Sequence, residues 1–569
     1  MLSFFPVRFL SFFIVILGTV VCLALGMTVS AVWYVAALVC LLLTLIGIHD
    51  LVQSRHSVKR NYPVIGNLRF LLEFIRPELR QYFIESDTDS LPFSRAQRSI
   101  VYQRAKQQID KRPFGTIENV YSDDYEWVNH SMMPSHIPDR NFRITVGQGQ
   151  CSQPYDISVF NISAMSFGAL SANAIRSLNR GAKAGGFAHD TGEGGISSYH
   201  LEAGGDLIWN IGSGYFGCRD ENGHFSDSAF AQKATLPNIK MIEIKLSQGA
   251  KPGHGGILPG AKVTAEIAQV RGVTPGVDCD SPAAHSAFST PVELLQFVQR
   301  LRTLSGGKPV GFKLCIGHPW EWFAIVKAML ETGITPDFIV VDGSEGGTGA
   351  APVEFVDHMG VPLKEALRLV HNALVGAGLR ERIKIGASGK IISAFDILRT
   401  LALGADWCNS ARGFMFAVGC IQAQACHTGK CPSGVATQDP SRQRAIVVTD
   451  KADRVTHFHR NSVHALAELL QAAGLTHPEQ LRAHHVVRRI SSSEVKVLSA
   501  IYPELEKGDL LKGNYRLKIF EICWPLAQAH SFQPARSIDL VASEVNTGYQ
   551  AGEKSAEKGA PVYKALQPL

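Results

Sequence analysis

The stretch FIVVDGSEGGTG, residues 338–349, shows the pattern that decides the fold: an apolar β-type segment runs directly into a glycine-rich loop. This pattern recurs along the chain, with helical stretches between the apolar segments. Eight strand slots with intervening helices favour a (β/α)8 TIM barrel, an α/β fold; a doubly wound open sheet is the alternative. The predicted strands are 157–162, 187–189, 241–246, 277–279, 309–314, 338–342, 383–386 and 406–408. The predicted helices are 171–184, 263–271, 292–304, 321–332, 363–377 and 394–403.

Glycine is dense directly after five of these strands. In a TIM barrel all of these loops lie on the carboxyl-terminal face, where active sites are found. Glycine lets backbone N–H groups approach a phosphate or a flat ring, so the loops favour a bound anionic cofactor over ordinary turns. No GxGxxG motif follows a strand, so no nicotinamide dinucleotide site is predicted. The five loops are 163–168, 191–195, 247–256, 343–349 and 387–390.

The composition is that of a large folded protein. The chain has 569 residues, of which 46% are hydrophobic and 19% are charged. Its net charge of +6 is mild for this length, and no basic stripe with interleaved aromatic residues indicates nucleic-acid binding. Eleven cysteines in so long a chain exclude a small secreted disulfide scaffold.

Two uncharged apolar segments near the amino terminus predict a transmembrane hairpin. Residues 9–27 and 32–48 are each about as long as a membrane span requires, and only four residues separate them. A cleaved signal peptide is the alternative, but the first apolar run is long and a second follows at once. Basic residues flank both ends of the hairpin, which predicts that both ends and the remaining chain are cytoplasmic. These residues are Arg8, Arg55, Lys59 and Arg60.

A helical linker is predicted between the hairpin and the barrel. The segment LRFLLEFIRPELRQYF, residues 68–83, has apolar residues at helical spacing, and Pro77 is expected to break it. A helix that caps the next domain is favoured over a membrane-surface helix. The predicted domains are a transmembrane hairpin (1–50), a linker and barrel-wrapping segment (51–150), the barrel (151–440) and a helical extension with a polar tail (441–569).

Five motifs resemble, in the same order, those of the FMN-binding synthase domain of the glutamate synthase family. They are SAMSFGALS (163–171), TGEGG (191–195), IKLSQGAKPGHGGILPGAKV (244–263), DGSEGGTGAAP (342–352) and GCIQAQACHTGKCPSGVATQ (419–438). The hairpin and linker look like those of short, membrane-anchored relatives without the glutaminase domain. No cysteine follows Met1, so no amino-terminal thiol is available to release ammonia from glutamine.

The resemblance implies that FMN lies on the barrel mouth and that reduced FMN passes a hydride to an imine formed from 2-oxoglutarate and ammonia. Residues beside the flavin ring must stabilise charge on it. The expected ring contacts are Ala164, Met165, Ser166, Gln248 and Lys313, with Lys245 as the alternative to Lys313. FMN phosphate is expected in the loops after the sixth to eighth strands, at Gly346, Gly347, Ser388, Gly389, Lys390, Ala411 and Arg412.

The resemblance also implies a substrate site. Lys251 and Arg271 match the cations expected to bind an anionic oxo acid; Glu193 is a candidate proton carrier, and Lys251 and Gln248 complete the expected catalytic set. A structural Glu193 that caps the glycine-rich turns is the alternative. Some positions depart from the family: Ile257 replaces a glutamine and His254 a glutamate, and both changes favour a different substrate.

Cys420, Cys426 and Cys431 are spaced C-x5-C-x4-C after the last predicted strand. Three thiolates on one loop suit an iron–sulfur cluster, and three buried reduced thiols are the alternative. The resemblance identifies them as the ligands of a [3Fe–4S] cluster that passes electrons to FMN. A ferredoxin or a reductase is the expected electron donor.

Two enzyme functions and one binding function follow from these observations. The first is reductive amination of 2-oxoglutarate, or a related oxo acid, with ammonia from elsewhere. The second is a membrane-tethered flavin and iron–sulfur electron-transfer oxidoreductase with another substrate. The third, a scaffold protein without catalysis, would need neither the cofactor-type loops nor the cysteines.

Overall fold

The computed structural model describes residues 7–88 and 91–537. The chain divides into two compact units, Met1–Arg95 and Ala96–Leu569. The division falls inside the segment that the sequence assigns to the linker, and each unit is described by itself. The predicted polar tail lies largely outside the described residues.

The first unit begins with two long apolar helices. Helices α1 (Leu10–Thr28) and α2 (Trp33–Val52) pack against each other, and the Thr19 and Thr44 hydroxyls are 3.3 Å apart between them. Both helices are long and apolar enough to cross a membrane, judged by length and composition alone. The predicted helical hairpin is therefore present.

Two further helices complete this unit. They are α3 (Ser57–Asn61) and α4 (Gly66–Leu79), and α4 continues into a π-helical turn at Arg80–Ile84. The sequence predicts a break at Pro77, but α4 runs through this residue. Proline removes one backbone donor, and in an exposed helix water can satisfy the carbonyl that is released.

The second unit is built on a closed barrel of eight parallel strands, which confirms the predicted TIM barrel. The strands follow chain order around the barrel, and the last pairs with the first. Their runs are almost wholly buried, as expected for a parallel sheet that is covered by helices. The strands are β1 (Phe160–Ile162), β2 (His189–Asp190), β3 (Leu207–Ile211), β4 (Ile239–Lys245), β5 (Val310–Leu314), β6 (Phe338–Asp342), β7 (Lys384–Ser388) and β8 (Trp407–Ser410).

Two strand predictions are wrong. The segment 277–279 is not a barrel strand, because Cys279–Asp280 pairs instead with Ile257–Leu258 in a small antiparallel hairpin. The strand β3 is missing from the predicted strands. The strand predicted at 241–246 is therefore the fourth strand of the barrel and not the third. A short apolar run beside glycines does not reveal by itself whether it joins the barrel or a loop hairpin.

The first predicted strand is in fact divided between two sheets. Its beginning belongs to Tyr155–Ser158, which pairs antiparallel with Arg143–Val146 outside the barrel, and its end forms β1. A further three-stranded antiparallel sheet joins Glu126–Val128 to Val486–Arg489 and Val495–Val497. Segments before and after the barrel are thereby held together.

The predicted helices of the barrel are confirmed, with ends that agree closely. Local sequence explains several of their starts: the Thr290 and Glu293 side chains form a reciprocal capping box, and the Ser171 hydroxyl accepts from the Ala174 N–H. The barrel helices are Ala172–Gly185, Ala265–Arg271, Pro291–Leu304, Pro319–Thr332, Leu363–Gly376 and Ala394–Ala402. The other helices of this unit are Arg95–Ala105, Ser198–Leu201, Asp227–Ala234, Val353–His358, Arg412–Ala417, Pro440–Gln443, Val448–Ala472, Leu498–Ile501 and Lys518–Cys523.

Candidate active site at the barrel mouth

The glycine-rich loops meet at the carboxyl-terminal ends of the strands. A Cβ atom on Gly192, which has a φ of 66°, would lie 2.6 Å from the Ser166 nitrogen. A Cβ atom on Gly249 would lie 1.9 Å from the Gly343 carbonyl oxygen. Only glycine permits such close backbone approach, so the loops after β1 and β2, and those after β4 and β6, form one packed surface.

Glu193 lies in a cluster of cations at this mouth. Its carboxylate is 2.9 Å from the Lys245 ammonium, which projects from the end of β4. Although burial acts in the opposite direction, Lys245, Lys251 and Arg271 lower the pKa of Glu193 to about 2. The residues expected to bind substrate and to carry protons are therefore brought together, and Glu193 is ionised at neutral pH.

Lys251 is buried, and its ammonium donates to the Gly255 carbonyl oxygen at 2.8 Å. Burial lowers the pKa of this lysine, while Glu193 acts in the opposite direction. The Gln248 carbonyl accepts from the Lys251 N–H at 3.1 Å, so both residues belong to one tight turn. Lys251 is thus a desolvated cation beside an ionised carboxylate.

Arg271 lies beneath the loops. Its guanidinium donates to the Phe167 carbonyl oxygen at 3.3 Å and stands 5.1 Å from the centre of the Phe216 ring. Its Nε is buried and has no hydrogen-bond partner among the described residues. Arg271 therefore supports the loop after β1 and contributes positive charge to the site from below.

His285 and Tyr215 support this cluster and were not found from the sequence. The His285 Nε2 lies 2.8 Å from the Lys245 carbonyl oxygen, and its Nδ1 lies 3.1 Å from the Tyr215 hydroxyl. A carbonyl oxygen only accepts, so Nε2 carries the proton. Burial lowers the pKa of His285 to about 4, which keeps the imidazole neutral.

Lys313 takes part in a second, deeper cluster inside the barrel. Its ammonium is 3.1 Å from the Glu243 carboxylate, and both side chains are almost fully buried. Burial and the nearby Glu243 raise the pKa of Asp190, while Glu243, Asp190 and Asp342 raise that of Lys313 against the effect of burial. Glu243 is the acidic residue inside the apolar run MIEIKL, residues 241–246. A carboxylate in a buried strand is the sequence signal that could have indicated this cluster.

Asp342, at the end of β6, joins three of the mouth segments. Its carboxylate accepts from the Gly249 N–H at 2.8 Å and from the Ser388 hydroxyl. The hydrogen of the Ser388 hydroxyl is therefore already donated, and this hydroxyl can only accept from a ligand. The Ser388 carbonyl in turn accepts from the Gly343 N–H at 2.9 Å.

Two cations meet in the loops after β7 and β8. Arg412 donates to the Glu345 carbonyl oxygen at 2.8 Å, and burial lowers its pKa to about 10. Burial, followed by the charge of Arg412, lowers the pKa of Lys390. A Cβ atom on Gly347 would lie 2.8 Å from the Arg412 guanidinium, so the loop after β6 also reaches this point. Gly346, Gly389 and Ala411 belong to the same three loops.

Cys420, Cys426 and Cys431 lie on the loop after β8. Burial, with a contribution from the other two thiols, raises the pKa of Cys420 to about 12. Lys262 donates to the Cys426 carbonyl oxygen at 2.5 Å. Among the described residues, no three His, Cys, Asp or Glu side chains form a group that could hold a single metal ion.

Comparisons with known proteins agree with this architecture. A family model described as the conserved region in glutamate synthase matches residues 122–476. The glutamate synthase large subunit-like protein YerD of Bacillus subtilis (strain 168) is 40% identical over 485 residues, which are 78% of this chain and 92% of YerD. An archaeal glutamate synthase (NADPH) of Methanocaldococcus jannaschii is 37% identical over 341 residues, 59% of this chain and 64% of the relative.

The match to the archaeal relatives thus leaves about a third of their length uncovered. Among solved structures, a mutant flavocytochrome b2 with pyruvate bound has a TM-score of 0.41 and 12% sequence identity, covering 79% of this chain and 91% of that chain.

Proposed function

This chain belongs to the glutamate synthase family, and we propose that it is an FMN-dependent oxidoreductase that reductively aminates 2-oxoglutarate, or a related oxo acid, to the amino acid. Membership rests on the match over residues 122–476 and on the 40% identity with YerD. The ammonia would come from elsewhere. The observation that carries the proposal is the cation-rich cluster around Glu193.

The charge balance of this cluster suits an anionic substrate. Three cations surround one carboxylate, and only Lys245 is in direct contact with it. Lys251 and Arg271 donate to backbone carbonyls, which are neutral. The net positive charge can therefore bind a dicarboxylate, and charge-assisted hydrogen bonds make such binding strong.

The residues of the mouth also fit FMN. Burial and then the charge of Arg412 lower the pKa of Lys390, and a phosphate bound beside the two cations would offset this repulsion. The tight loops after β1, β2, β4 and β6 offer backbone groups to a flat ring. Bound FMN would supply the hydride, as it does in flavin enzymes generally.

The chain's own residues then divide the remaining work. Ionised Glu193 can attract and hold the ammonium ion in the space beside Gly212 and Gly256, where a Cβ atom would lie near its carboxylate. Lys251, whose pKa is lowered by burial, can give a proton from Nζ to the substrate nitrogen. The neutral His285 holds the backbone at Lys245 in place.

We further propose that the three cysteines bind a [3Fe–4S] cluster, loaded with electrons by a ferredoxin or a reductase. The three cysteines share one loop, and the other two thiols contribute to raising the pKa of Cys420; three thiolates on one loop suit an iron–sulfur cluster. Cys426→Ser should remove the iron and its absorbance while FMN stays bound. Cys523→Ser, a buried thiol elsewhere, is the control. Unchanged iron in Cys426→Ser would reject this ligand set.

The alternative function is electron transfer at the membrane with a different substrate. Ile257 favours it, because its side chain is 43% exposed at the mouth, next to Gly256, and offers a substrate no hydrogen bond. The His254 ring packs edge-on against Phe355 at 5.3 Å, and its Nδ1 lies 2.9 Å from the Gly255 carbonyl oxygen. These contacts engage the imidazole within the protein. Both residues replace polar positions that the family resemblance implies.

We also propose that α1 and α2 cross the membrane and leave the barrel in the cytoplasm. Their length and apolar character, with basic residues at both flanks, support this topology. In the cytoplasm thiols stay reduced, as a cysteine-bound cluster requires.

One anaerobic experiment separates these functions. The detergent-purified protein is reduced, and its flavin absorbance is followed while 2-oxoglutarate and ammonium are added together. Rapid reoxidation with formation of glutamate is the expected result. Bound flavin that remains reduced would reject 2-oxoglutarate as the substrate and favour another oxo acid or an electron-transfer role.

A further inference from the structure

The chain between the apolar hairpin and α4 is fastened to the base of that hairpin. The Asp50 carboxylate, only 1% exposed near the end of α2, accepts from the Val64 N–H at 3.1 Å and from the Asn67 amide. From α1, the Ser11 hydroxyl donates to the Pro63 carbonyl oxygen at 2.8 Å. Both apolar helices therefore position the start of α4.

A further contact shows where α4 begins along the length of α2. The chain leaves α2 at Val52, forms α3, and then turns back, because a Cβ atom on Gly47 would meet both Phe12 and Val64 at 3.0 Å or less. Gly47 lies more than a helical turn before the end of α2. Helix α4 thus starts alongside the base of the hairpin, closer to its apolar part than α3 is.

One face of α4 is covered by α3 and the residue before it. The Phe70 ring lies 5.2 Å from the ring of His56, and the Lys59 ammonium stands 4.8 Å above it. A Cβ atom on Gly66 would lie 3.2 Å from the Lys59 backbone. These contacts hold the Phe70 side of the first turn of α4 against α3.

The other face of α4 is apolar and exposed. Leu68, Leu71, Leu72, Ile75, Leu79 and Tyr82 recur at helical spacing on it. Leu68, Leu71 and Leu72 are each about half exposed, although leucine is a residue that is usually buried. A run of exposed leucines on one helix face marks an interaction surface.

Basic residues border this apolar face. Arg69, Arg76 and Arg80 lie along one side of the helix. Among the described residues, Arg69 pairs with Glu73 at 3.0 Å, and Arg76 and Arg80 have no carboxylate partner. An apolar face beside a row of arginines is the pattern of a helix that lies in the interface of an anionic membrane.

We propose that α4 lies flat in the membrane interface, with its leucine face in the lipid and its arginines at anionic headgroups. The proposal rests on the membrane anchoring by α1 and α2 proposed above. It differs from the sequence-based preference for a domain-capping helix, because within the first unit nothing covers the leucine face in the described residues. The surface would hold the exit of the hairpin parallel to the bilayer and so orient the chain that leads to the barrel.

The test places a photo-crosslinking phenylalanine analogue at one position of the full-length protein in phosphatidylglycerol-containing vesicles. Position 72 reports the leucine face, position 73 the flank of the helix, and position 42 the exposed surface of α2. After irradiation, mass spectrometry identifies each adduct. We expect lipid adducts at positions 42 and 72. We expect no lipid adduct at position 73.

The other outcomes separate the two proposals. Lipid adducts at position 42 together with protein adducts at position 72, to residues 96–537 or to a second copy, would keep the membrane hairpin and overturn the interface helix. Absence of lipid at both positions would overturn the membrane anchoring itself. The triple variant Arg69→Gln, Arg76→Gln, Arg80→Gln should lower the adduct at position 72 in anionic vesicles but not in phosphatidylcholine vesicles; an unchanged yield would reject the role of the arginines.

Discussion

Two glutamates of the second unit, Glu126 and Glu193, are each surrounded by three cations, but the cations are used differently. At Glu126, Lys364 and Arg488 donate to Oε1 at 2.8 Å and at 2.6–2.9 Å, while Arg399 donates to Oε2 at 2.9 Å. Every cation is in direct contact with the carboxylate. At Glu193 only Lys245 makes such a contact.

The pKa of both glutamates is lowered to about 2 despite their burial, so the pKa alone does not distinguish them. The geometry does. All three cations around Glu126 contact its carboxylate. These ion pairs join the strand Glu126–Val128 to two barrel helices and to the strand Val486–Arg489. Around Glu193, Lys251 and Arg271 donate to backbone carbonyls and contact no carboxylate among the described residues, and such positive charge is what a site for an anion requires.

Glu193→Gln should have the largest effect, and it should act on the chemistry. Removing an ionised carboxylate that positions the ammonium ion is expected to lower kcat by roughly 10²-fold. Flavin reoxidation by 2-oxoglutarate and ammonium measures this loss. Glu126→Gln is the matched control, because per folded molecule it should keep the parent rate. Equal losses in both variants would remove the functional distinction between the two clusters.

Glu126→Gln should instead act on stability. Three buried or half-buried cations would lose their common partner, and breaking such a buried pair costs about 3–5 kcal/mol. The loss is measured as a lower midpoint of thermal unfolding in detergent. Glu381→Gln, which removes an exposed ion pair with Lys507, should leave the midpoint almost unchanged. A similar shift in both variants would contradict the structural role of Glu126.

Lys251→Met should weaken binding of the oxo acid. Loss of a charge-assisted hydrogen bond of about 1.5–3 kcal/mol corresponds to roughly a 10- to 100-fold higher Kd. Titration of the flavin absorbance with the oxo acid measures it. Lys364→Met, in the cluster around Glu126, should leave the Kd unchanged. If Lys251→Met binds as the parent does, this lysine is not part of the substrate site.

The pH dependence should show the smallest difference. Both glutamates have a folded-state pKa of about 2 against an ordinary value of 4.5, so each binds a proton more readily after unfolding. Their stabilising contribution is present above about pH 4.5 and is lost as the pH falls toward 2. Each Gln variant should lose part of this slope in acid unfolding. A parent-like slope would show that the glutamate does not titrate as described.

The sequence predicted one of these two clusters but not the other. Glu193, Lys251 and Arg271 lie within 80 residues and in motifs that resemble a known family, so their meeting could be inferred. Glu126 could not be paired from the sequence, because its partners lie 238 to 362 residues further along the chain. Nor could the sequence tell that β3 belongs to the barrel and that the predicted segment 277–279 belongs to a loop hairpin, since both are short runs beside glycine.

The sequence by itself determined the features that depend on near neighbours. The apolar helices, the alternation of strands and helices, the glycine loops and the cysteine spacing all follow from local pattern. The tertiary structure alone decided the contacts of the two lysines considered for the flavin edge. Lys245 and Lys313 are partners in register on β4 and β5, yet Lys313 contacts Glu243 in the barrel and Lys245 contacts Glu193 at its mouth. Their local sequences do not distinguish them, because the choice depends on carboxylates that distant strands and loops bring near.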